Sequence, residues 1–212
     1  MPTSRLPRRL ALAALLAAAL APAWALAQSA PSGPKPVRLR GTIESVTADR
    51  LVLKERSGER IELALAPSLV VTEMFPVGRD AVKPGSFIGV GAMPQADGTQ
   101  RAIAVVLFPE AMRGTGEGHR PFDFLPQSTM TNATVAGEVA ASPDGQQRMR
   151  MAYPGGEQSI VVPPDAPVVS LRPGSRDLLV PGAGVSVTAQ AVGDQPTAMR
   201  ITAGRNGFKP PY

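Results

Sequence analysis

Displaced by 97 residues, the sequence lies over itself. Leu63 meets Ile160, Leu65 meets Val162, Pro67 meets Pro164 and Val71 meets Val168. Farther along, Arg79-Asp80 meets Arg176-Asp177, Pro84-Gly85 meets Pro181-Gly182, and Ile88 and Val90 meet Val185 and Val187. With a one-residue slip, Gly41 and Ile43 meet Gly137 and Val139, and Ala102 and Val105 meet Ala198 and Ile201. A repeat of this length marks a structural unit used twice. The expected organisation is therefore two similar domains, 37–110 and 133–205, with a connector over 111–132 and a tail over 206–212.

Within each repeat the apolar residues follow period two. Ile61, Leu63 and Leu65 share one face of Arg60–Leu65, and Ile88 and Val90 do the same in Ser86–Gly91, the pattern of a strand with one buried face. Turn signals punctuate these runs: Ser57-Gly58, Pro84-Gly85 and Asp97-Gly98, then Asp144-Gly145, Pro154-Gly155 and Pro181-Gly182. In each repeated Pro-Gly, proline presets φ and glycine supplies the positive φ of the next turn position. With 21 Gly and 23 Pro in 212 residues and no long helical period, the expected class is all-β. About five or six short strands per repeat suit a small closed barrel, which leaves no sheet edge open. The repeated Arg-Asp pairs read as local ion pairs or Asx-type turns that fix the connection before each Pro-Gly.

The first 27 residues read as an address. Arg5, Arg8 and Arg9 precede an apolar run from Leu10 to Ala21, and Ala25-Leu26-Ala27 forms a small-residue cleavage site before Gln28. This is the pattern of a secretory signal peptide, with cleavage between Ala27 and Gln28 and a linker over 28–36. The apolar run falls short of the 18 to 20 or so residues that span a bilayer, so no integral membrane segment is expected after cleavage. Removal leaves 19 basic and 17 acidic residues, a net charge of +2, and takes away Trp24, the only tryptophan. The expected location is the periplasm.

The same composition excludes several kinds of chemistry. Without cysteine there is no disulfide framework, thiolate metal site or thiol nucleophile. No G-x-S-x-G surrounds any serine, so hydrolysis by a Ser-His-acid site has no support. A charge of +2 and few aromatic residues argue against nucleic acid as a partner, and glycoside hydrolysis lacks aromatic platforms. The protein reads as a non-enzyme.

Attention falls on the connector, the one stretch that the repeat does not explain. Gly114, Gly116 and Gly118 alternate there, and the only histidine, His119, lies between Glu117 and Asp123. G-x-G-x-G without a Lys-Ser/Thr is no phosphate loop. Glu117, His119 and Asp123 are the candidate ligands for a divalent metal or small ligand, because one imidazole and two carboxylates suit such an ion; no other cofactor is expected. The competing reading is structural: Phe122, Phe124 and Leu125 pack between the two units, and His119 or Asp123 bonds to main-chain groups.

Three stretches carry a resemblance. Arg40-Gly41-Thr42-Ile43-Glu44-Ser45-Val46, Lys83-Pro84-Gly85-Ser86-Phe87-Ile88-Gly89-Val90 and Asp97-Gly98-Thr99-Gln100 resemble the small barrel of the domain-of-unknown-function 5666 family, which is similar to an OB-fold. Phe108 to His119, Met130 to Val135 and Gly204 to Pro211 resemble an exported proteobacterial group with two such barrels, in which Phe122 is usually Trp. The resemblance implies tandem OB-like barrels. Some similar chains are labelled metal ABC transporter permease, which implies at most an association with metal transport. The resulting expectation is an exported, non-enzymatic binding or interaction protein whose partner is an envelope protein or a small ligand; the alternative is a divalent-metal or small-ligand accessory protein that uses the central segment.

Overall fold

In the computed structural model, residues 35–212 are described. The signal peptide, its cleavage site at Ala27 and Gln28, and most of the 28–36 linker lie outside the described residues. The described residues form twelve strands: β1 Val37–Val46, β2 Arg50–Glu55, β3 Arg60–Pro76, β4 Phe87–Pro94, β5 Gln100–Leu107, β6 Gly118–Pro121, β7 Thr129–Ala141, β8 Gln147–Tyr153, β9 Gly156–Val162, β10 Val168–Pro173, β11 Gly184–Val192 and β12 Gln195–Ala203. Short 3₁₀ turns at Arg79–Ala81, Glu110–Met112 and Arg176–Leu178 are the only helical elements among the described residues. The class is all-β, as the alternation of apolar residues requires.

Strand pairing departs from the expected domain boundaries. One ring runs β1-β2-β3-β12-β11 and closes back on β1, with β3 and β12 parallel. A second runs β7-β8-β9-β5-β4 and returns to β7, closed by a short parallel contact of Gln100 with Ile160 and Arg101 with Val161. Neither ring is a contiguous repeat. The first takes three strands from the first half and two from the second; the other takes the reverse. The expected barrels over 37–110 and 133–205 are thus replaced by two rings that have exchanged their last two strands. The described residues accordingly do not divide into two compact units.

The cores follow the rings rather than the repeats. Ile43, Leu51, Leu53, Leu63 and Val71 from the first half pack with Val185, Val187, Ala198 and Ile201 from the second. The other core joins Ile88, Val90 and Val105 to Val135, Met149, Met151, Ile160 and Val162. Met149 and Met151 are core side chains, as their alternation with Arg148 and Arg150 implies.

The crossing lies where β3 continues past its ring and pairs antiparallel with β10. Thr72 faces Pro173, Met74 faces Leu171 and Pro76 faces Val169. Met74 and Leu171 are partners at the 97-residue displacement, so a pseudo-two-fold axis passes between them. Such self-complementary contact is what a two-fold interface demands. A seam of Met74, Val106, Val169 and Leu171, with Phe108, Phe208 and Tyr212 against it, fills the space between the rings. One ion network is lodged there: Glu73, 4% exposed, binds Arg172 and Arg205. The Arg172 hydrogen bond and charge, with Arg205, hold the Glu73 carboxyl below its ordinary pKa against the opposing effect of burial.

The repeated Pro-Gly turns form as expected and also clamp the exchange. Gly85 and Gly182 have φ of 83° and 87°. Gly85 N–H donates to Val135 O and Val135 N–H to Ser86 O; likewise Gly182 N–H donates to Ile43 O and Ile43 N–H to Ala183 O. These matched pairs correct the sequence register of the first strand: Ile43 corresponds to Val135 and Gly41 to Ala133, not to Val139 and Gly137. The extra residues of the second repeat mostly lengthen the β7–β8 hairpin, which runs on to Ala141 opposite Gln147 beyond an irregularity between Ala136 and Ala140. The repeated arginines are not partners of their adjacent aspartates. Arg79 donates to Gly145 O and Val162 O, and Arg176 to Ala48 O, so each ties its 3₁₀ turn to the opposite half. The local reading holds for Asp177, which accepts from Ser175 Oγ and from Arg205.

Candidate functional site

The connector is a folded surface whose glycines allow its close course. Gly114 and Gly116 have φ of 82° and 55°, in the region that residues with a Cβ rarely occupy, and let the chain turn twice before β6. Asn132 Nδ2 then donates to Thr115 O, and Arg120 Nη1 to Gly116 O. β6 adds to the outer edge of β7, with Gly118 opposite Asn132, His119 opposite Thr131 and Arg120 opposite Met130. After β6, Ser128 closes a loop: its hydroxyl donates to carbonyls of Phe122 and Leu125 and accepts from Leu125 N–H.

This geometry separates the proposed metal ligands. His119 lies on β6 with Nδ1 2.8 Å from Thr131 Oγ1; burial first, and the Arg120 charge second, push its pKa down, so the neutral ring is favoured. Asp123 instead holds Arg40 Nη2 on β1 at 2.7 Å. Burial acts to raise the Asp123 pKa, but the Arg40 bond and the nearby Arg40 and Arg38 charges outweigh it and lower the pKa. Glu117 stands exposed. Among the described residues no three His, Asp or Glu side chains converge as a metal site requires, so the Glu117–His119–Asp123 ligand set is not assembled. The His119–Thr131 contact and the Arg40–Asp123 ion pair account for it, and neither was legible from spacing.

The connector aromatics do pack where the two halves meet. Phe122 is buried, 5.2 Å from the Tyr212 ring, and Phe124 stacks 6.1 Å from Phe122 and 5.7 Å from Tyr212. Arg40 lies over both phenylalanines, and Arg56 lies 4.4 Å over Phe124; such stacking of guanidinium on aromatic faces is favourable. The tail over 206–212 supplies Tyr212, whose ring lies so close to Gly91 that a Cβ there would come within 2.9 Å of it. Leu125 does not pack inward as expected: it is 45% exposed. The result is a patch of Arg56, Phe124, Leu125 and the half-exposed Asp123 carboxylate beside the buried Phe122.

A second surface went unnoticed in the sequence. On the outer face of β8, β9 and β5, Arg148, Val161 and Arg101 line an open hollow of about 340 Å³ with Thr99 and Gln146. The signal that could have found it is the alternation Arg148-Met149-Arg150, whose arginines must face outward once Met149 faces the core.

No helix of the described residues is long and apolar enough to cross a membrane. Comparison with protein-family models, with curated proteins and with solved structures finds no match, so the likeness to the domain-of-unknown-function 5666 family rests on the quoted residues alone.

Proposed function

We propose that the protein is a non-enzymatic, exported binding module that presents its connector to a protein partner in the cell envelope. The observation that carries this reading is the patch of Arg56, Phe124, Leu125 and Asp123: it breaks the pseudo-two-fold symmetry and is held by the hydrogen bonds of Ser128 and by Arg40 on β1. Aromatic and arginine side chains are the composition of binding hot spots. An exposed leucine beside a half-buried phenylalanine gives such a patch an apolar centre with a charged rim. The expected export places the partner outside the cytoplasm.

The test uses the mature protein immobilised as bait for envelope extract. The expected outcome is a captured protein that is lost with Leu125→Asp or Arg56→Glu and retained with Val192→Asp, a substitution of an exposed residue on a strand of the first ring. An unchanged set of captured proteins across all three variants contradicts the reading.

A further inference from the structure

Pseudo-symmetry supplies an internal control for the hollow on the second ring. In the first ring, Ala64 of β3 has Arg50 of β2 opposite on one side and Thr197 of β12 on the other. In the second, Val161 of β9 has Arg148 of β8 on one side and Arg101 of β5 on the other. These are the same three positions. Two residues before the central one stands Glu62 in the first ring and Ser159 in the second. Arg50 is bonded to Glu62, so the first face neutralises its own charge. On the second face the glutamate is a serine and the threonine is an arginine.

The consequence is two guanidinium groups on either side of one apolar residue. Among the described residues, Arg101 and Arg148 form no ion pair of bonding length, whereas neighbouring Arg150 is 3.5 Å from Glu157. Two carboxylates stand by, Asp97 in the lining of the hollow itself and Asp144 near Arg148, and each is committed to its own turn. Asp97 accepts from Thr99 N–H and Oγ1, and Asp144 accepts from Ser142 and Gln146; both remain ionised and attract Arg148 only through space. Strand spacing puts the Cα atoms of Arg101 and Arg148 about 10 Å apart, so the two side chains can converge above Val161. The hollow continues into a second of about 270 Å³ that shares Thr99, Arg148 and Val161 and reaches Ser159.

We infer that this hollow binds a phosphoryl group carried by a small ligand, with Arg101 and Arg148 gripping it from opposite sides over Val161. A planar carboxylate offers two oxygens in one plane, whereas a phosphoryl group offers three around a tetrahedral centre. Two arginine forks from opposite directions, with the Ser159 hydroxyl as a further donor, match the latter. The inference is independent of the connector surface: its site is built from residues on the outer face of β5, β8 and β9.

Inorganic triphosphate is the probe, titrated into the isotope-labelled mature protein at low ionic strength, with citrate as a carboxylate control. The expected result is saturable binding with amide shifts centred on Thr99, Arg101, Arg148 and Val161. Arg101→Gln and Arg148→Gln each weaken it by about tenfold, the loss of one charge-assisted contact. Ser159→Glu, which recreates the pairing of the first ring, weakens it similarly. All three substitutions are on exposed residues, and unchanged unfolding midpoints exclude misfolding as the cause. The inference is overturned by an absence of saturable shifts at millimolar triphosphate, by binding that survives all three variants, by shifts centred on Arg40 and Arg56, or by citrate binding as tightly as triphosphate.

Discussion

Expressed separately, residues 35–110 and 111–212 are expected to yield no folded monomer, and on mixing to form a one-to-one complex with the circular dichroism and cooperative unfolding of the intact chain. The first fragment carries β1 to β3 of one ring and β4 with β5 of the other. Alone, it opens both cores: Leu53, Leu63 and Val71 lose Val185, Val187 and Ile201, while Ile88, Val90 and Val105 lose Met149, Met151 and Ile160. Uncovering one such side chain costs about 1.5 to 3 kcal/mol, and a domain has only about 5 to 15 kcal/mol in total. A fragment that exposes half of two cores cannot hold either. Exchange of identical elements is a recognised route between copies of a protein; here both copies lie on one chain, so cutting the connector turns the intramolecular exchange into a bimolecular one. Gel filtration with circular dichroism reads the outcome. A monomeric, cooperatively folded 35–110 fragment would show that the first repeat closes on itself.

Phe122→Ala is expected to lower the unfolding free energy by about 3 kcal/mol, near the lower end for deleting a buried phenylalanine. Phe122 is 8% exposed and touches elements from the whole length of the chain: Arg40 on β1, Gly91 on β4, Phe124 in the connector and Tyr212 at the C-terminus. Its removal also strips one of two aromatic faces from Arg40, whose Nε is already buried without a hydrogen-bond partner. An arginine left buried with less support adds to the loss of packing. Leu125→Ala, three residues away and 45% exposed, is expected to change stability by about 0.5 kcal/mol or less. Urea unfolding followed by circular dichroism compares the two. Equal effects would mean that the connector is not a structural staple.

Strand identity and turn chemistry were legible in the sequence because both are local. Alternation of Ile61, Leu63 and Leu65 chooses the buried face whichever chain segment completes the ring, and Pro84-Gly85 makes its turn in either arrangement. The exchange was illegible for the same reason. Because the repeats are alike, Val71 finds the same kind of neighbour in Ile201 as it would in Val105, and no residue type distinguishes the two. Only the 17-residue length of β3, running beyond its own ring to Pro76, carries the crossover, and Pro67 within it reads as a break. Register of β7 was misplaced because Gly137 imitates Gly41, while the irregularity between Ala136 and Ala140 leaves no mark in composition.

At the site, the packing of Phe122 and Phe124 agrees with the structural reading of the connector, one of the two that its residues left open. The separation of Glu117, His119 and Asp123 was not legible. Spacing alone brings them within a few residues of each other, but β6 fixes His119 against Thr131, and Arg40, 83 residues earlier, takes Asp123. The arginine hollow was equally remote, since Arg101 and Arg148 meet only because β5 and β8 flank β9 from opposite sides.

Double-mutant cycles on the parallel strand pairs test the exchange most directly. Val71 faces Ile201 and Val105 faces Val168, whereas rings made of contiguous repeats would instead pair Val71 with Val105 and Val168 with Ile201. With alanine at each position, coupling of about 0.5 kcal/mol or more is expected between Val71 and Ile201 and between Val105 and Val168, as for residues in contact. Additivity is expected for Val71 with Val105 and for Val168 with Ile201. Coupling in those two pairs, with additivity in the first two, would contradict the exchanged architecture.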